Sequence, residues 1–426
     1  MGGWGGLAAN FRMAALQPVR GTQDLLPEEQ RRHRAVVDTA RRLAERYGYQ
    51  EIATPIFEFT EVFARPIGET TDIVSKEMYT FTDRGGEEIT LRPEYTAGIV
   101  RAVLSNGLSQ NTPLKFFASG PMFRYERPQK GRFRQFHQID VELIGAAPPA
   151  ADVEVIVLGA DILDALGILK RTQLELNTLG DAASRHAYRE ALVAYYAQHR
   201  GALSEDSLKR LERNPLRILD SKDEADKRIN AAAPSFADHL TPEARSFFDA
   251  VRAGLDLLGI GYRVSPRLVR GLDYYCHTAF EFVTTDLGAQ GTVLGGGRYD
   301  GLMGVMGGPE TPGVGWAAGI ERLALLIDEP PSPPRAVAVI PVGEKGEAAA
   351  LKLAHELRQA GFVVDLGYSG NVGRRMKRAN KIGARVAVIL GEDELARAAA
   401  TLRDLDSGEQ VEVPLSLLKD RLAPFR

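Results

Sequence analysis

Cysteine is nearly absent from this chain of 426 residues, which contains only Cys276. A single cysteine cannot close a disulfide within the chain. The seven histidines are scattered and show no Cys/His spacing of a structural zinc site. The sequence therefore predicts neither a disulfide scaffold nor a tightly bound, protein-ligated metal, and a reducing compartment, the cytoplasm, is the expected location.

Long apolar runs and a strong net charge are also missing. No run approaches the ~20 apolar residues that a membrane-spanning helix needs, so no membrane partner is expected. The formal net charge is only −3, which argues against a uniformly basic coat for nucleic acid, so any nucleic-acid contact must be local. Residues 1–17 are Gly-rich and unlike a signal peptide, and they are expected to form a disordered leader.

The domain organisation is indicated by length and by one proline-rich segment. A chain of 426 residues exceeds what a single hydrophobic core usually serves. Residues 329–335 are rich in proline and predict an extended linker between a domain at 18–328 and a second domain at 336–426. Within the first domain, residues from about 181 to 260 are charged, Ala-rich and helical in spacing, which predicts a helical insertion.

The hydrophobic pattern predicts several strands in the first domain, and a turn at Asp83–Gly86 joins two of them into an antiparallel hairpin. Beyond the linker, apolar strands alternate with amphipathic helices, which indicates an α/β domain with a largely parallel sheet. Elements predicted in the first domain include a helix that begins near Pro27, a strand over Tyr49–Phe59, strands at Met78–Thr82, Glu88–Leu91, Lys115–Phe123 and Phe136–Ile144, and an apolar helix at Gly315–Ile327.

Positive charge is concentrated in the segment Phe123–His137. Arg124–Arg134 contains five cationic side chains and one acidic one, Glu126. Flanking strands would make this run a hairpin loop whose guanidinium groups match phosphate oxygens. Phe133 and Phe136 supply flat surfaces on which a base stacks. A nucleoside triphosphate fits both features, although a solvated basic loop also accounts for the run alone.

Three polar side chains follow on the next strand. Gln138, Asp140 and Glu142 lie on one face because side chains alternate along a strand. An inward carboxylate beside an arginine loop is costly to desolvate unless a cation pairs with it, and the ammonium group of an amino acid is such a cation. For any one of these residues, a structural ion pair is an equally good explanation.

Two glycine-containing segments complete the set. In Leu268–Cys276, Arg270 next to a glycine favours a fixed charge close to a developing anion. The glycines of Gly313–Arg322 lack the spacing of a dinucleotide-binding loop and follow Pro312. They favour a floor of small residues beneath a ligand, with Arg322 reaching that ligand.

In this order, the four segments resemble those of class II aminoacyl-tRNA synthetases and, in detail, the histidyl-tRNA synthetase family. Phe123–Glu142 is similar to motif two of the class, and Gly313–Arg322 is similar to motif three. Tyr47–Phe59 is similar to motif one, which forms the dimer interface in the family. Arg270–Tyr275 is the most specific match, because other class II enzymes lack it.

The resemblance implies an α+β catalytic domain with a six-stranded antiparallel sheet flanked by helices, a helical insertion, and a C-terminal α/β anticodon-binding domain with a mixed sheet. It implies that L-histidine and ATP, with Mg²⁺, give histidyl-adenylate and pyrophosphate. Histidine would then pass to the 3′-terminal adenosine of tRNA(His). A cytoplasmic homodimer is implied as well.

The resemblance also assigns roles to individual residues, and it implies no metal ligand. The implied catalytic residues are Arg270 and Arg124. The implied histidine-binding residues are Glu94, Thr96, Arg124, Gln138, Glu142, Arg270, Tyr274 and Tyr275. The implied ATP-binding residues are Arg124, Glu126, Arg132, Phe136 and Arg322.

One residue departs from the family pattern. Tyr95 stands between Glu94 and Thr96, where a small residue is expected. Its side chain either narrows the amino-acid pocket or points away, and the sequence leaves both open.

Two alternatives remain beside the synthetase interpretation. One is a catalytically inactive, synthetase-like regulatory subunit of histidine biosynthesis; such chains lack the anticodon domain and have eroded active-site segments, whereas this chain keeps both. The other is a prolyl or threonyl enzyme, which Arg270–Tyr275 disfavours. In the C-terminal domain, Asn371–Lys381 places five positive charges on a short helix. This helix predicts either an anticodon-stem contact or a solvated face.

Overall fold

The computed structural model describes residues 16–68, 71–129, 131–219, 221–269, 271–272, 274–288, 291–330 and 332–425. The chain forms two compact units that divide between residues 330 and 331. The predicted leader, apart from residues 16 and 17, lies outside the described residues. Arg270, one of the predicted catalytic residues, also lies outside them.

The first unit is built on one large sheet and a small one. In chain order the strands are β1 (Gln50–Glu51), β2 (Phe57–Phe59), β3 (Tyr79–Thr82), β4 (Glu88–Leu91), β5 (Leu114–Phe123), β6 (Gln135–Ile144), β7 (Gln173–Thr178), β8 (Tyr262–Val264), β9 (Cys276–Val283), β10 (Thr292–Arg298) and β11 (Gly313–Gly319). Among the described residues, the large sheet has the order β1-β5-β6-β11-β10-β9-β7-β8, and β2, β4 and β3 form the small sheet.

The six central strands of the large sheet lie in the order β5-β6-β11-β10-β9-β7, and each pairs antiparallel with its neighbours. This arrangement confirms the antiparallel sheet implied by the resemblance. Two short strands extend the sheet, since β1 pairs parallel with β5 and β8 pairs parallel with β7. The short strand β1 lies within the segment Tyr49–Phe59 that the sequence predicts as a single strand.

Helices pack against the sheet and form the insertion. They are α1 (Pro27–Arg46), α2 (Glu61–Ile67), α3 (Thr96–Ser105), α4 (Pro149–Ala165), α5 (Ala182–Gln198), α6 (Glu205–Arg213), α7 (Glu224–Asn230), α8 (Pro242–Leu257), α9 (Leu302–Val305) and α10 (Ile320–Leu326). The main core lies between the sheet and α1, α4, α8 and α10. Within it, the Trp316 indole donates to the Val155 carbonyl (2.9 Å).

The start of each insertion helix follows from its sequence. Asp181, Ser204, Asp223 and Thr241 precede α5, α6, α7 and α8, and each side chain accepts a hydrogen bond from a backbone N–H of the first turn. Such caps satisfy amide groups that have no partner inside the helix. The helices α5 to α7 enclose a core of their own around Tyr196.

Two predictions for the first unit are wrong. The apolar helix predicted at Gly315–Ile327 is strand β11 followed by α10, which begins only at Ile320. Small apolar residues suit a central strand because neighbouring groups approach closely, and a Cβ on Gly315 would meet Glu142 Oε2 at 1.9 Å. The single strand predicted over Tyr49–Phe59 is interrupted near Pro55, which lacks the N–H that a central strand donates.

The second unit contains a five-stranded mixed sheet among its described residues. Its elements are β12 (Val337–Pro341), α11 (Gly343–Gln359), β13 (Val364–Leu366), α12 (Val372–Lys381), β14 (Val386–Leu390), α13 (Glu392–Ala396), β15 (Ala399–Asp404), β16 (Gln410–Pro414) and α14 (Leu418–Leu422). The strands β13, β12 and β14 are parallel, as predicted, whereas β15 and β16 are antiparallel. In the parts of both units that the structure describes, no helix is long and apolar enough to cross a membrane.

A buried ion pair joins α4 to the end of β10. Arg298 and Asp152 are both 0% exposed, and Arg298 Nε lies 3.0 Å from Asp152 Oδ2. Nη2 also donates to this carboxylate, and Nη1 donates to the Ala146 carbonyl (3.1 Å). Because both charges have left water, each depends on the other for its stabilisation.

We expect Asp152→Ala to lower the free energy of unfolding by about 3–5 kcal/mol, because the buried Arg298 charge then has only the partly exposed Asp300 as a counter-charge. Urea unfolding followed by the fluorescence of Trp316, which is buried in this unit, measures the change. Glu61→Ala is the control, since its ion pair with Arg65 is exposed and is expected to contribute less than about 1 kcal/mol. Equal effects of the two substitutions would contradict the assignment.

Candidate active site

A cleft lies over the central strands of the large sheet. It brings together every predicted site residue that the structure describes except Glu142. The predicted residues that line it are Glu94, Thr96, Arg124, Glu126, Arg132, Phe136, Gln138, Tyr274, Tyr275 and Arg322. The floor is formed partly by small residues of β10 and β11, including Gly295, Ala317 and Gly319, as the glycine pattern predicted.

One half of the cleft carries three arginines, two of which are fixed by backbone carbonyls. Arg124 Nε donates to the Pro93 carbonyl (2.9 Å), and Arg322 Nη1 donates to the Thr292 carbonyl (2.7 Å). Arg132 forms an ion pair with Glu126. Burial lowers the pKa of all three guanidinium groups, because leaving water disfavours the charged form. This half of the cleft therefore favours a polyanion.

An aromatic ring lies beside these cations. The guanidinium carbon of Arg124 is 5.3 Å from the centre of the Phe136 ring, within the range of a cation–π interaction. Phe136 lies on β6, and Arg322 lies on α10. A flat ring and a guanidinium group in one cleft are suited to a purine base.

The other half of the cleft is rich in hydrogen-bond acceptors from β6. Gln138, Asp140 and Glu142 alternate along this strand as predicted and are flanked mostly by small residues. Gln138 pairs with Gly120 and Gly319, Asp140 with Ala118 and Ala317, and Glu142 with Phe116 and Gly315. Gln138 Oε1 and Asp140 Oδ2 are buried without a hydrogen-bond partner in the described part of the chain. Both atoms remain available to a ligand that donates.

Glu142 lies behind the cleft wall. It is 1% exposed and accepts hydrogen bonds from Thr96 Oγ1 (2.5 Å) and from the Tyr299 hydroxyl. Burial raises its pKa to about 8, although both hydrogen bonds lower it. Glu142 thus holds Thr96, which does line the cleft, and it contacts the cleft through that side chain.

Glu94 lies just before α3, and its side chain binds a backbone amide in the first turn of that helix. Its Oε1 accepts a hydrogen bond from the Ala97 amide (2.9 Å), and its Oε2 lies 3.5 Å from the Tyr274 hydroxyl. Burial raises the pKa of the carboxyl group, opposed by hydrogen bonds from the backbone. One oxygen is therefore occupied by the helix, and the other faces the tyrosine.

Tyr95 points away from the cleft, which decides the question that the sequence left open. Its side chain is 1% exposed, and its hydroxyl donates to the Ser119 carbonyl (3.0 Å). The Arg92 guanidinium carbon lies 4.2 Å from the centre of its ring. The bulky residue therefore fills the core beneath α3, and Glu94 and Thr96 stay in the cleft.

Two tyrosines come from the segment before β9. The rings of Tyr274 and Tyr275 are 4.7 Å apart, and both line the cleft. Arg185 of the insertion helix α5 donates to the Tyr275 carbonyl (3.1 Å). The insertion thus helps to position this segment, a contact that no local pattern in the sequence indicated.

The sequence also gave no sign of a clamp between β6 and α10. The Glu321 carboxylate accepts hydrogen bonds from the His137 amide (3.0 Å to each oxygen) and from His137 Nδ1 (2.8 Å). His33 lies close enough that one ligand atom from each of the three residues falls within 4.8 Å of the others. Because both Glu321 oxygens bind His137, the cluster is explained as a structural clamp that fixes the helix of Arg322.

An antiparallel sheet with an arginine hairpin and a floor of small residues under one cleft defines the catalytic unit of a class II aminoacyl-tRNA synthetase. The sequence profile described as Histidyl-tRNA synthetase matches residues 21–323, and the profile described as Anticodon binding domain matches residues 336–423. The chain belongs to the histidyl-tRNA synthetase family.

Individual relatives are similar along nearly the whole chain. The histidine–tRNA ligase of Rhodospirillum rubrum is 63% identical over 414 residues, which cover 97% of this chain and 100% of that protein. The histidine–tRNA ligase of Gluconacetobacter diazotrophicus is 59% identical and covers 96% of this chain and 99% of that protein. The crystal structure of apo S. aureus histidyl-tRNA synthetase matches with a TM-score of 0.82 at 36% identity and covers 96% of this chain and 99% of that one.

The raised pKa of Glu142 predicts a pH-dependent stability. The folded protein keeps a proton up to a pH of about 8, whereas an unfolded glutamate with an ordinary pKa of 4.5 has lost it. The free energy of unfolding should therefore fall as the pH rises through this window, by up to about 1.4 kcal/mol per pH unit for one group.

We expect Glu142→Gln to make this fall shallower, because an amide does not ionise. Urea unfolding at pH values between 5 and 8 measures the slope for both proteins. Glu45→Gln, an exposed position on α1, is the control and should keep the wild-type slope. An unchanged slope in Glu142→Gln would show that this carboxyl is not the group that titrates.

Proposed function

We propose that this chain activates L-histidine with ATP and then transfers the histidyl group to the 3′-terminal adenosine of tRNA(His). The carrying observation is that one cleft is lined both by arginine side chains and by buried acceptors, which we treat as its cationic half and its acceptor half. A triphosphate suits the first half and an amino acid suits the second, so the two reactants meet at their boundary. Membership in the family supports the choice of histidine.

In the first step, a carboxylate oxygen of histidine attacks the α-phosphorus of ATP, and pyrophosphate leaves. The reaction gives histidyl-adenylate without a covalent bond to the protein. We assign Arg124 to the α-phosphate, where its charge offsets the negative charge that develops there. Phe136 and Arg322 would hold the adenine, and Arg132 with Glu126 would contact the rest of ATP. Catalysis is then mainly positioning and charge stabilisation.

Arg270 is assigned as a second catalytic cation on the strength of the family resemblance. We also propose that Mg²⁺ accompanies ATP. Two carboxylates, Glu126 and Glu281, line the cleft with the arginines, and Mg²⁺ prefers such oxygens together with substrate phosphates. When bound, the ion supplies additional neutralisation of phosphate charge.

Histidine would occupy the acceptor half. We assign its ammonium group to Glu94, Thr96 and Gln138, and its imidazole to Glu142, Tyr274 and Tyr275. Glu142 lies behind the cleft wall and would contribute through the Thr96 side chain that it holds. A buried site that satisfies both imidazole nitrogens leaves its polar groups unpaired when an apolar analogue binds. This lowers kcat/KM for the analogue by a factor of roughly 10⁴.

The second unit would bind the anticodon stem through α12, with fewer charges than the sequence indicated. Arg375 is buried and donates to Glu347 (2.9 Å) and to the Pro341 carbonyl. Arg378 pairs with Asp365 (2.8 Å). The cations of this helix that remain exposed in the described structure are Arg374, Lys377, Arg378 and Lys381, of which Arg378 shares its charge with Asp365.

We further propose a cytoplasmic homodimer that associates through Tyr47–Phe59, which resembles motif one. The domain boundaries at 18–328, 329–335 and 336–426 remain our proposal. The regulatory alternative is disfavoured, because residues 336–423 match the anticodon-binding profile. A catalytically inactive subunit would also not require arginine side chains that are held in position in the cleft.

The purified protein should catalyse ATP–pyrophosphate exchange that depends on L-histidine and on none of the other nineteen amino acids. Arg124→Ala should reduce the exchange rate by about 100- to 1,000-fold, the typical loss of one charge-stabilising donor. Arg127→Ala, an exposed neighbour outside the cleft lining, is the control and should retain the wild-type rate. A folded wild-type protein without histidine-dependent exchange would refute the proposal.

The double variant Lys377→Ala/Lys381→Ala should bind tRNA(His) more weakly, because two exposed cations near the phosphate backbone are lost. Its affinity should also depend less on salt, by about one unit of log–log slope per lost phosphate contact. Fluorescence anisotropy at several salt concentrations measures both effects. Lys352→Ala on α11, another exposed lysine, is the control. Equal binding by the double variant would remove α12 from the interface.

A further inference from the structure

Asp140 is a buried carboxyl group that the functions assigned so far leave unused, and burial raises its pKa well above the ordinary range. It lies in the middle of β6, lines the cleft and is 1% exposed. Its Oδ2 has no hydrogen-bond partner within the described residues. Burying a carboxylate oxygen without a donor is costly, so a group that donates to it only in the bound state would explain its presence.

The nearest cations do not fill this role. Arg92 and Arg124 act on Asp140 through their charge, but the Nε atom of each donates to a backbone carbonyl. Arg92 Nε donates to the Pro121 carbonyl (2.8 Å), and Arg124 Nε donates to the Pro93 carbonyl (2.9 Å). Neither therefore satisfies Asp140 Oδ2.

The surroundings of Asp140 are arranged for a small cationic donor. Its partners on the neighbouring strands are Ala118 and Ala317, whose short side chains offer no hydrogen-bond donor to the carboxyl group. Gln138 Oε1, two residues away on the same face, is a second buried acceptor without a partner among the described residues. Glu94 also lines the cleft, and its charge and that of Asp140 repel each other.

A primary ammonium group matches this arrangement. It carries three N–H donors and one positive charge, whereas the cleft offers acceptors on Glu94, Gln138 and Asp140. The charge would relieve the repulsion between the two carboxylates, and the donors would satisfy the two unpartnered oxygens. A neutral ligand could satisfy the two oxygens but would not relieve the repulsion between the carboxylates.

We propose that Asp140 is a specificity-determining residue that accepts a hydrogen bond from the α-ammonium group of the amino-acid substrate. The inference rests on the proposed function and adds a second carboxylate to the ammonium site. Asp140 thereby selects for a free amino group, while the imidazole is recognised elsewhere in the cleft.

The test compares two ligands and one isosteric substitution. L-Histidine carries the ammonium group, and 3-(imidazol-4-yl)propanoate has the same ring and carboxylate without it. Isothermal titration of both ligands against wild type and Asp140→Asn isolates the contribution of the ammonium contact. We expect Asp140→Asn to weaken histidine binding by about 10- to 100-fold, as the loss of a charged hydrogen bond does, and to change propanoate binding less than about threefold.

Controls separate this inference from the proposed function. Asp164→Asn on the exposed end of α4 makes the same chemical change away from the cleft and should leave both affinities unchanged. Asp140→Ala, which matches the flanking alanines, replaces Asp140→Asn if the latter fails to fold, and carries the same expectation.

If wild type shows neither histidine binding nor exchange, the proposed function itself fails. If wild type is active and a folded Asp140 variant binds histidine normally, only the role of Asp140 is overturned. An equal loss for both ligands would also overturn it, because the residue would then shape the cleft without contacting the ammonium group.

Discussion

The burial of polar side chains in the middle of an apolar sheet is the constraint on which this cleft depends. Glu142 is fully enclosed and is tolerated because Thr96 and Tyr299 donate to it. Gly315 must lack a side chain for the carboxylate to lie where it does. The network therefore ties β6 to α3, to the segment after β10 and to β11, and it fixes the wall from which the amino-acid half of the cleft is built.

The cationic half of the cleft depends on backbone acceptors in the same way that the buried Glu142 depends on donors. Arginine side chains over one cleft repel one another, and they stay in place because backbone carbonyls accept from them. Arg124 is held at Pro93, and Arg322 is held at Thr292. Since these carbonyls belong to a loop and to a strand end, the charge is preorganised before any anion binds. The clamp between Glu321 and His137 extends the same principle to the helix that carries Arg322.

Much of this arrangement was predictable from local patterns. Periods of two and of about 3.6 located most strands and helices, and the spacing of Gln138, Asp140 and Glu142 placed them on one face. The pattern failed for β11, because small apolar residues suit both a helix and a crowded central strand. The pattern gave no sign that Arg375 on α12 is buried, since its partners Glu347 and the Pro341 carbonyl belong to other segments.

The sequence by itself determined the family, the two-part character of the site and nearly all of its residue types. Only the tertiary structure decided that Tyr95 turns into the core, that Glu142 lies behind Thr96, and that Asp140 Oδ2 has no donor among the described residues. The physical reason is that a motif specifies which groups are present and on which face of a strand they lie. Whether a group is satisfied by the protein or left for a ligand depends on partners that distant segments bring to it.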